Sequence, residues 1–311
     1  MVSTEQGALA AEWARAREAL QAGGDAPVAL PPAVLRLIDL ALDEDLGRGD
    51  VTSEAIFPAE AEGEAALYAK TPLVLSGLDV AAQVFLRVDP RTRVAALRAD
   101  GAQVAPGTRV LAVRGRVRAL LAAERTALNF AQRLCGVATA TRSYVAAVAG
   151  TGASVVDTRK TAPGFRFLDK RAVRHGGGSN HRADLGSGVL IKDNHVAAAG
   201  GVAAAIRAAR AAAPHSLRLE VEVKDLAELR EALAERAEII LLDNMTPEQV
   251  REALALLPPR GDGWRPLIEV SGGVTLPRLR AYAEAGADLI SVGALTHSVI
   301  AADLSMEIEL S

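Results

Sequence analysis

The pattern of apolar and polar positions along the chain changes at about residue 153. From there on, short apolar runs alternate with amphipathic stretches, which is typical of βα units and a parallel sheet. The runs are ASVV, GVLI, LRLEVEV, AEIILL, PLIEV and ADLISV. Six units are fewer than the eight of a complete α/β barrel. We therefore expect an irregular or incomplete TIM-like parallel α/β barrel, with an open doubly wound sheet as the alternative.

Before that point the pattern predicts a strand-rich segment placed between helices. The apolar spacing predicts an Ala-rich helix over residues 4–21, a Gly/Pro linker through Pro32 and a second helix over residues 33–45. Short strands joined by Asp-Gly and Pro-Gly turns follow, and a long helix over residues 118–150 ends this part of the chain.

Three regions result from this reading. Residues 1–126 are predicted to form an N-terminal α/β open sandwich, whose first 30 residues are a helical extension and a linker. Residues 127–295 are predicted to form the barrel. Residues 296–311 are predicted to form a short C-terminal helix that packs back on the N-terminal domain.

Composition and charge exclude several classes of protein. Half of the 311 residues are hydrophobic but only 3% are aromatic, so the core must be built from Ala, Leu and Val. A pI near 6.0 argues against nucleic acid and anionic membranes as partners. The single cysteine, Cys135, excludes an intramolecular disulfide. Without a secretory signal or a long apolar run, the chain is expected to be cytoplasmic.

Polar residues or glycines follow the apolar runs immediately. They are Asp157-Thr158-Arg159-Lys160, Lys192-Asp193-Asn194, Lys224, Asp243-Asn244, Ser271-Gly272-Gly273 and Gly293. In parallel barrels the functional residues gather at the carboxyl ends of the strands. These residues therefore predict one shared site, and they favour the barrel over the open sheet.

Positive charge is concentrated between Asp157 and His195. Eight Lys or Arg face four Asp in this segment, although the whole chain has a net charge of −3. Guanidinium and ammonium donors at this density suit a small substrate with several carboxylates or phosphates. The segment is thus the strongest candidate for an anion-binding site.

The same segment carries a family resemblance. DTRKTAPGFRFLDKRAVRHGGGSNHR, GVLIKDNH, LEVEV, LLDNM, EVSGGV and ISVGALTHS together resemble the quinolinate phosphoribosyltransferases, also called nicotinate-nucleotide pyrophosphorylases. Upstream, ERTALNFAQRLCGVATAT and ALDEDLGRGDVTS are similar to that family as well. The motifs follow the family's order from about residue 39 to about residue 305, so the resemblance covers nearly the whole chain.

The resemblance implies a reaction and a set of partners. Phosphoribosyl pyrophosphate and quinolinate would give nicotinate mononucleotide, pyrophosphate and CO2, a step of de novo NAD synthesis. By the family's motifs, Arg159, His181 and Arg182 would bind the two carboxylates of quinolinate. Arg125 would reach the site from the neighbouring subunit of a homodimer.

The resemblance also assigns the phosphoribosyl side of the site. Lys160 and Lys192 would lie between the two substrates, and Glu222 and Asp243 would hold ribose hydroxyls and Mg²⁺; these four are the predicted catalytic residues. Two late-strand loops would cradle the 5′-phosphate. The remaining predicted substrate contacts are Thr158, Ser271, Gly272, Gly273, Ser291, Val292, Gly293 and His297.

Other interpretations stay open at this point. A related protein of the same fold could act on another small anion, as in the type associated with molybdenum transport. A Schiff-base aldolase could use Lys192 or Lys224, and a non-enzymatic regulator could simply bind a phosphometabolite. Asp243 could instead cap a helix that begins near Thr246.

Some charged residues of the segment are expected to have no role in the site. Their spacing fits the exposed side of one helix, where Lys and Arg are usually solvated. They are Arg166, Lys170, Arg171 and Arg174. Cys135 is expected to be a small core residue.

Overall fold

The computed structural model describes residues 13–22, 29–259 and 263–310. The chain divides into two compact units, each built from more than one stretch of sequence. The first comprises Met1–Thr139, Phe167–Gly176 and Val299–Ser311, and the second comprises Ala140–Arg166 and Gly177–Ser298. In the described part of the chain, no helix is both long and apolar enough to span a bilayer.

The first unit contains a four-stranded antiparallel sheet in the order β12-β1-β5-β3. Its strands are β1 (Glu62–Ala69), β3 (Arg93–Ala96), β5 (Arg109–Arg116) and β12 (Leu304–Leu310). A separate pair joins β2 (Leu73–Val74) to β4 (Gln103–Val104). Its helices are α1 (residues 13–21), α2 (Pro32–Leu46), α3 (Val51–Ile56), α4 (Leu78–Val88) and most of α5 (Val117–Ala147). The N-terminal part of the helix predicted over residues 4–21, and most of the linker after it, lie outside the described residues.

The end of the chain differs from the expected helix. Residues 304–310 form β12, which pairs with β1 from Leu304↔Ala69 to Leu310↔Gly63. The sequence LSMEIEL alternates apolar and polar residues with a period of two, which favours a strand with one buried face. The alternation extends over only seven residues, and periodicity over so short a stretch does not distinguish a strand from a helix.

The boundary expected at residue 126 falls inside α5, and residues 167–176 belong to the first unit although they were assigned to the barrel. Ion pairs explain this placement. Asp169, fully buried, accepts two hydrogen bonds from Arg133 at 3.1 and 2.8 Å. Arg171 binds Asp79 through two bonds of 2.6 and 2.7 Å. Such bidentate pairs fix a segment more strongly than single contacts do.

Helix α1 packs on one face of the antiparallel sheet. Its residues Trp13, Ala16 and Leu20 form a buried cluster with Ala66 and Ala112 of the sheet. Small alanines on the strands leave room for the indole, and the guanidinium of Arg109 lies 4.9 Å from its ring centroid.

Trp13→Ala is expected to lower the free energy of unfolding by about 3 kcal/mol, because it removes the indole from the buried cluster and leaves a cavity. Urea denaturation of the two-unit protein would measure the loss. Arg15→Ala, at an exposed position of the same helix, is the control. Equal midpoints for the two variants would show that α1 contributes nothing to stability.

The second unit contains a six-stranded sheet whose neighbouring strands are all parallel. The order is β6-β11-β10-β9-β8-β7. The strands are β6 (Ser154–Val156), β7 (Val189–Ile191), β8 (Leu219–Val223), β9 (Ile239–Asp243), β10 (Leu267–Ser271) and β11 (Leu289–Ser291). The helices after β7 are α7 (Asp193–Ala199), α8 (Val202–Ala212), α9 (Leu226–Ala234), α10 (Pro247–Ala255), α11 (Leu276–Ala285) and α12 (Ala294–His297). Helix α6 (Arg166–His175) follows β6 in sequence, but all of it except Arg166 belongs to the first unit.

The strand order settles the choice between barrel and open sheet. Strands β7 to β11 lie side by side in sequence order, and the first strand, β6, pairs with the last, β11. This succession is that of a barrel, whereas a doubly wound sheet reverses direction at a switch point. Among the described residues β6 and β7 do not pair, and a single parallel bridge, Val156↔Ser179, joins β6 to the segment that precedes β7. The prediction of an incomplete parallel barrel is confirmed.

Candidate active site

Strand register brings three predicted residues to one face of the sheet. Glu222 pairs with Leu241, and Asp243 pairs with Ser271. Since side chains alternate along a strand, Glu222, Asp243 and Ser271 all point to the same face near the carboxyl ends of their strands. The shared site predicted from the apolar runs therefore has a geometric basis.

Lys192 and Glu222 form an ion pair at this end of the sheet. The Lys192 ammonium lies 2.6 Å from Glu222 Oε2, and the lysine side chain remains about half exposed. Lys192 is also the residue that precedes α7, and its backbone N–H donates to His195 Nδ1 at 2.9 Å. The pair places one positive and one negative group where a polar substrate can reach both.

Asp243 does not act as a helix cap. The cap of α10 is Thr246, whose hydroxyl accepts the N–H of Gln249. Asp243 Oδ2 instead accepts the side-chain amide of Asn244 at 2.7 Å. The carboxylate is therefore oriented toward the loop after β9, where it is available for a substrate or a cation.

Arg159 and Arg182 form a pair of like charges. Burial, and after it the positive charge of Arg159, lowers the pKa of Arg182. In both residues Nε is buried and has no hydrogen-bond partner, while Arg182 Nη1 donates to Gly188 O at 3.1 Å. Buried N–H donors without a partner lower the stability of the folded protein when no anion is bound. This arrangement is what a site for a doubly charged anion requires.

The His181 ring faces two buried glutamates. Its Nε2 lies 3.1 Å from Glu220 Oε2 and 3.6 Å from Glu269 Oε1, and both carboxyl groups are buried. Its Nδ1 accepts the backbone N–H of Arg182 at 2.7 Å. The ring thus connects two glutamates in the barrel interior to the backbone of Arg182, and its predicted contact with substrate stays a prediction.

The same three residues meet the distance requirement for a metal site, but the hydrogen bonds oppose one. The ligand atoms of His181, Glu220 and Glu269 lie within 4.8 Å of one another. Because Nδ1 accepts the Arg182 N–H, the proton of the neutral ring is on Nε2, where a metal ion would need a lone pair. The trio is therefore better described as an imidazole that faces two buried carboxyl groups. It lines a cavity of about 400 Å³.

Glu269 gives this cluster a pH dependence. Burial, and after it the negative charge of Glu220, raises the pKa of Glu269 to about 7. Since the folded-state pKa lies above the ordinary value of 4.5, this group's contribution to stability is fully present below about pH 4.5 and is lost as the pH rises through about 7.

Glu269→Gln imitates the protonated form, so its melting temperature should exceed that of the wild type above neutral pH. The difference should shrink as the pH falls toward about 5. Thermal denaturation across this pH range measures it, with the exposed Glu252→Gln as the control. A difference that does not vary with pH would show that Glu269 does not titrate in this range.

The two loops predicted to cradle the 5′-phosphate follow β10 and β11. They differ in whether their backbone is open to a ligand. Gly273 has a φ of 55° and open space beside its Cα, as a loop that receives a ligand requires. In the other loop, Val292 N–H donates to Val156 O at 2.9 Å, so this amide is tied to the sheet and does not face a phosphate, contrary to the prediction. Ser291 is buried, and its hydroxyl lies 3.4 Å from Val270 O.

Lys160 lies against the second of these loops. A Cβ added to Gly293 would come to 3.0 Å from both the Lys160 Cδ and the His297 ring. The Thr296 hydroxyl donates to Lys160 O at 2.9 Å, and Lys160 N–H donates to the Thr158 hydroxyl at 3.1 Å. Lys160, Gly293 and His297 therefore lie beside one another, and their contacts with substrate stay predictions. Arg125 is exposed on α5 of the first unit.

Two residues without a predicted substrate contact hydrogen-bond to segments that carry site residues. Asp157 is fully buried and accepts His181 N–H at 2.8 Å and Asn180 Nδ2 at 2.7 Å. Arg166 donates to the backbone of the loop that carries Arg159. The expectation that the helix's basic residues are solvated is wrong for Arg166, for the ion-paired Arg171 and for Lys170, which is 5% exposed.

Cys135 is a buried core residue, as expected. Its thiol accepts the N–H of Ser76 at 3.3 Å and lies 3.4 Å from Ser76 O. Burial raises the pKa of Cys135 to about 12. A thiol held in this protonated state is not a nucleophile at neutral pH.

Comparisons with known proteins agree with this geometry. The family described as quinolinate phosphoribosyl transferase, C-terminal domain, matches residues 137–307, and the N-terminal domain of the same family matches residues 50–135. The chain is 46% identical over 273 residues to the nicotinate-nucleotide pyrophosphorylase [carboxylating] of Mycobacterium leprae, covering 86% of this chain and 94% of that protein.

More distant relatives give the same result. The human nicotinate-nucleotide pyrophosphorylase [carboxylating] is 39% identical over 282 residues, which cover 90% of this chain and 93% of the human protein. The solved structure of the nicotinate-nucleotide pyrophosphorylase from Francisella tularensis superimposes with a TM-score of 0.85 at 37% identity, covering 92% of this chain and 99% of that one. Both domains and nearly the full length agree, and this chain belongs to the quinolinate phosphoribosyl transferase family.

Proposed function

We propose that this chain transfers the phosphoribosyl group of phosphoribosyl pyrophosphate to quinolinate, giving nicotinate mononucleotide, pyrophosphate and CO2. The observation that carries this function is the arginine pair. Arg159 and Arg182 are partly buried, repel one another and each keep an unsatisfied Nε–H. A planar ring with two adjacent carboxylates offers both guanidiniums a partner and removes the repulsion.

The reaction needs little covalent help from the protein. The pyridine nitrogen attacks the anomeric carbon of the ribose as the bond to the pyrophosphate oxygen breaks and that oxygen keeps the electron pair. The resulting positive ring nitrogen then stabilises the pair of electrons left on the adjacent ring carbon when CO2 departs. Finally this carbon takes up a proton. The residues of the site act by holding the two substrates together and by balancing their charge.

Lys160 and Lys192 are proposed to bind the oxygens of the phosphoribosyl pyrophosphate. Both lie at the carboxyl ends of strands, and both are exposed toward solvent. Lys160 packs against Gly293 and His297, which supports a place beside the phosphate loop. The ion pair of Lys192 with Glu222 orients the ammonium group, so it can bridge between the carboxylate and an incoming phosphate.

Mg²⁺ is proposed as the cofactor. Glu222 and Asp243 fit it because both supply hard carboxylate oxygens on the same face of neighbouring strands. When bound, the ion would take up negative charge on the departing pyrophosphate. The two carboxylates themselves would hold the ribose hydroxyls and favour positive charge at the anomeric carbon.

The Schiff-base alternative is disfavoured by the state of both candidate lysines. An amine must lose its proton to attack a carbonyl. Lys192 is ion-paired with Glu222 at 2.6 Å. The hydrogen bond that the Lys224 ammonium donates to Glu228, and after it the negative charge of Glu228, raises the pKa of Lys224. Lys224 is thus held in the charged form, and the amine of Lys192 is occupied by its ion pair.

Turnover of purified protein tests the proposed function. Quinolinate, phosphoribosyl pyrophosphate and Mg²⁺ should give nicotinate mononucleotide and pyrophosphate, and nicotinate in place of quinolinate should give far less. Equal turnover of the two pyridines would overturn the dicarboxylate site. Tight binding of phosphoribosyl pyrophosphate without pyrophosphate release would instead favour a regulator that only binds the metabolite.

We further propose a homodimer in which Arg125 completes the partner's site. Arg125 is exposed on α5, in a motif that matches the family. Arg125→Ala and Arg159→Ala should each be inactive alone, whereas mixed subunits should regain part of the activity, because one site in each heterodimer is then intact. Confirmed heterodimers without activity would contradict the shared site.

A further inference from the structure

Two chain segments carry the arginine pair, and they lie far apart in the sequence. Arg159 lies in the loop after β6, and Arg182 lies in the segment that leads to β7. Burial, and after it the positive charge of Arg159, lowers the pKa of Arg182, so the two guanidiniums repel one another. The interaction between the two guanidiniums therefore works against their pairing before an anion binds. The two segments must therefore be held at the backbone.

Arg166 connects these two segments. Its Nη2 donates to Arg159 O at 3.2 Å, and its Nε donates to the Thr161 hydroxyl at 3.2 Å. Its Nη1 donates to Ala183 O at 3.4 Å, on the residue that follows Arg182. One guanidinium thus spans from the backbone of one arginine to the neighbour of the other.

From this geometry we propose that Arg166 is a positioning residue, which fastens the segment of Arg159 to that of Arg182 so that both guanidiniums face one dicarboxylate. The inference rests on the proposed function. Arg166 reaches no substrate itself in this arrangement, because its three donating nitrogens are directed to the protein. Asp157 makes a complementary tie, since it holds His181 and Asn180 to the end of β6.

The side chain's shape is specific to this role. The planar fork of an arginine presents its N–H groups in fixed directions and can reach three acceptors on two segments. A lysine keeps the positive charge, but its three N–H donors lie on one nitrogen and do not reach acceptors spread as widely as those of the fork. A residue that merely supplied charge would tolerate lysine, whereas a positioning residue should not.

Binding of phthalate tests the proposal independently of turnover. Phthalate has two adjacent carboxylates on a six-membered ring but no ring nitrogen, so it can bind and not react. We expect Arg166→Gln to weaken phthalate binding about tenfold and to raise the KM for quinolinate similarly. The KM for phosphoribosyl pyrophosphate should change less than about threefold, and Arg166→Lys should recover only part of the loss.

Arg174→Gln, exposed on the same helix, is the matched control and should bind phthalate as the wild type does. Folding of each variant is checked by its melting temperature, and Arg166→Lys decides the matter if Arg166→Gln does not fold. Wild-type affinity in a folded Arg166→Gln, or full recovery by lysine, would overturn the proposal. Wild-type protein that binds phthalate but makes no nicotinate mononucleotide would overturn the proposed function alone.

Discussion

Arg182→Met is expected to lower kcat/KM for quinolinate about 1,000-fold, because it removes one of the two charged partners proposed for the dicarboxylate. The same change should leave the protein at least as stable as the wild type when no anion is present. It removes the repulsion by Arg159 and an Nε–H that is buried without a partner, while methionine retains most of the side chain's apolar contacts. Activity and stability are thus predicted to move in opposite directions.

Steady-state kinetics and thermal denaturation with and without phthalate would measure both effects. Phthalate should raise the melting temperature of the wild type and not that of Arg182→Met, since ligands stabilise only a protein that binds them. The control is Arg218→Met, because Arg218 lines the same cavity of about 400 Å³ as Arg182 does. A loss of stability that matches the loss of activity would show that Arg182 serves the fold and not the dicarboxylate.

The fold was largely predictable because its signals are local. Each barrel strand is an apolar run followed by polar residues, so both the parallel sheet and the edge that carries the site could be inferred. The wrong assignment of residues 304–310 has the same origin. A strand with one buried face is defined by a partner on which it packs, and that partner, β1, lies more than two hundred residues earlier.

The positions of some candidate site residues could be predicted because a charged residue directly after an apolar run indicates the end of a barrel strand. Lys160, Lys192, Glu222 and Asp243 are charged residues at strand ends, and the structure places all four there. The resemblance placed Arg159 and Arg182 in one site, but the buried, unsatisfied Nε–H donors on them could not be inferred. Those donors depend on how two distant segments approach each other.

Arg166 and His181 show why the supporting interactions escaped prediction. The helical spacing of Arg166, Lys170 and Arg174 is that of a solvated face. In the structure, however, helix α6 buries residues on several sides, and only Arg174 of these three is exposed. His181 had a role by resemblance, but its ring direction follows from buried Glu220 and from the backbone of Arg182. Sequence patterns give residue types and periods, and they do not give the direction of a hydrogen bond.

Gly272→Ala is expected to lower kcat/KM for phosphoribosyl pyrophosphate about 100-fold, since small displacements at a substrate loop have effects of this size. Gly272 has a φ of 88°, and an added Cβ would overlap the side chain of Asn244 and approach its backbone nitrogen to 2.9 Å. The loop after β10 must then move, and Asn244 with it. Because Asn244 donates to Asp243 at 2.7 Å, the displacement reaches a predicted catalytic carboxylate.

The matched control is Gly150→Ala. Gly150 has a φ of 80°, also lies in the second unit, and would place its Cβ in open space. This variant therefore carries only the backbone strain of a left-handed alanine, about 1 kcal/mol, and should keep wild-type kinetics. Denaturation and kinetics of both variants separate strain from overlap. If Gly150→Ala and Gly272→Ala lost equal activity, the contact with Asn244 would have no part in the site. If only Gly272→Ala loses activity, the close approach between the loops after β9 and β10 is what places Asp243.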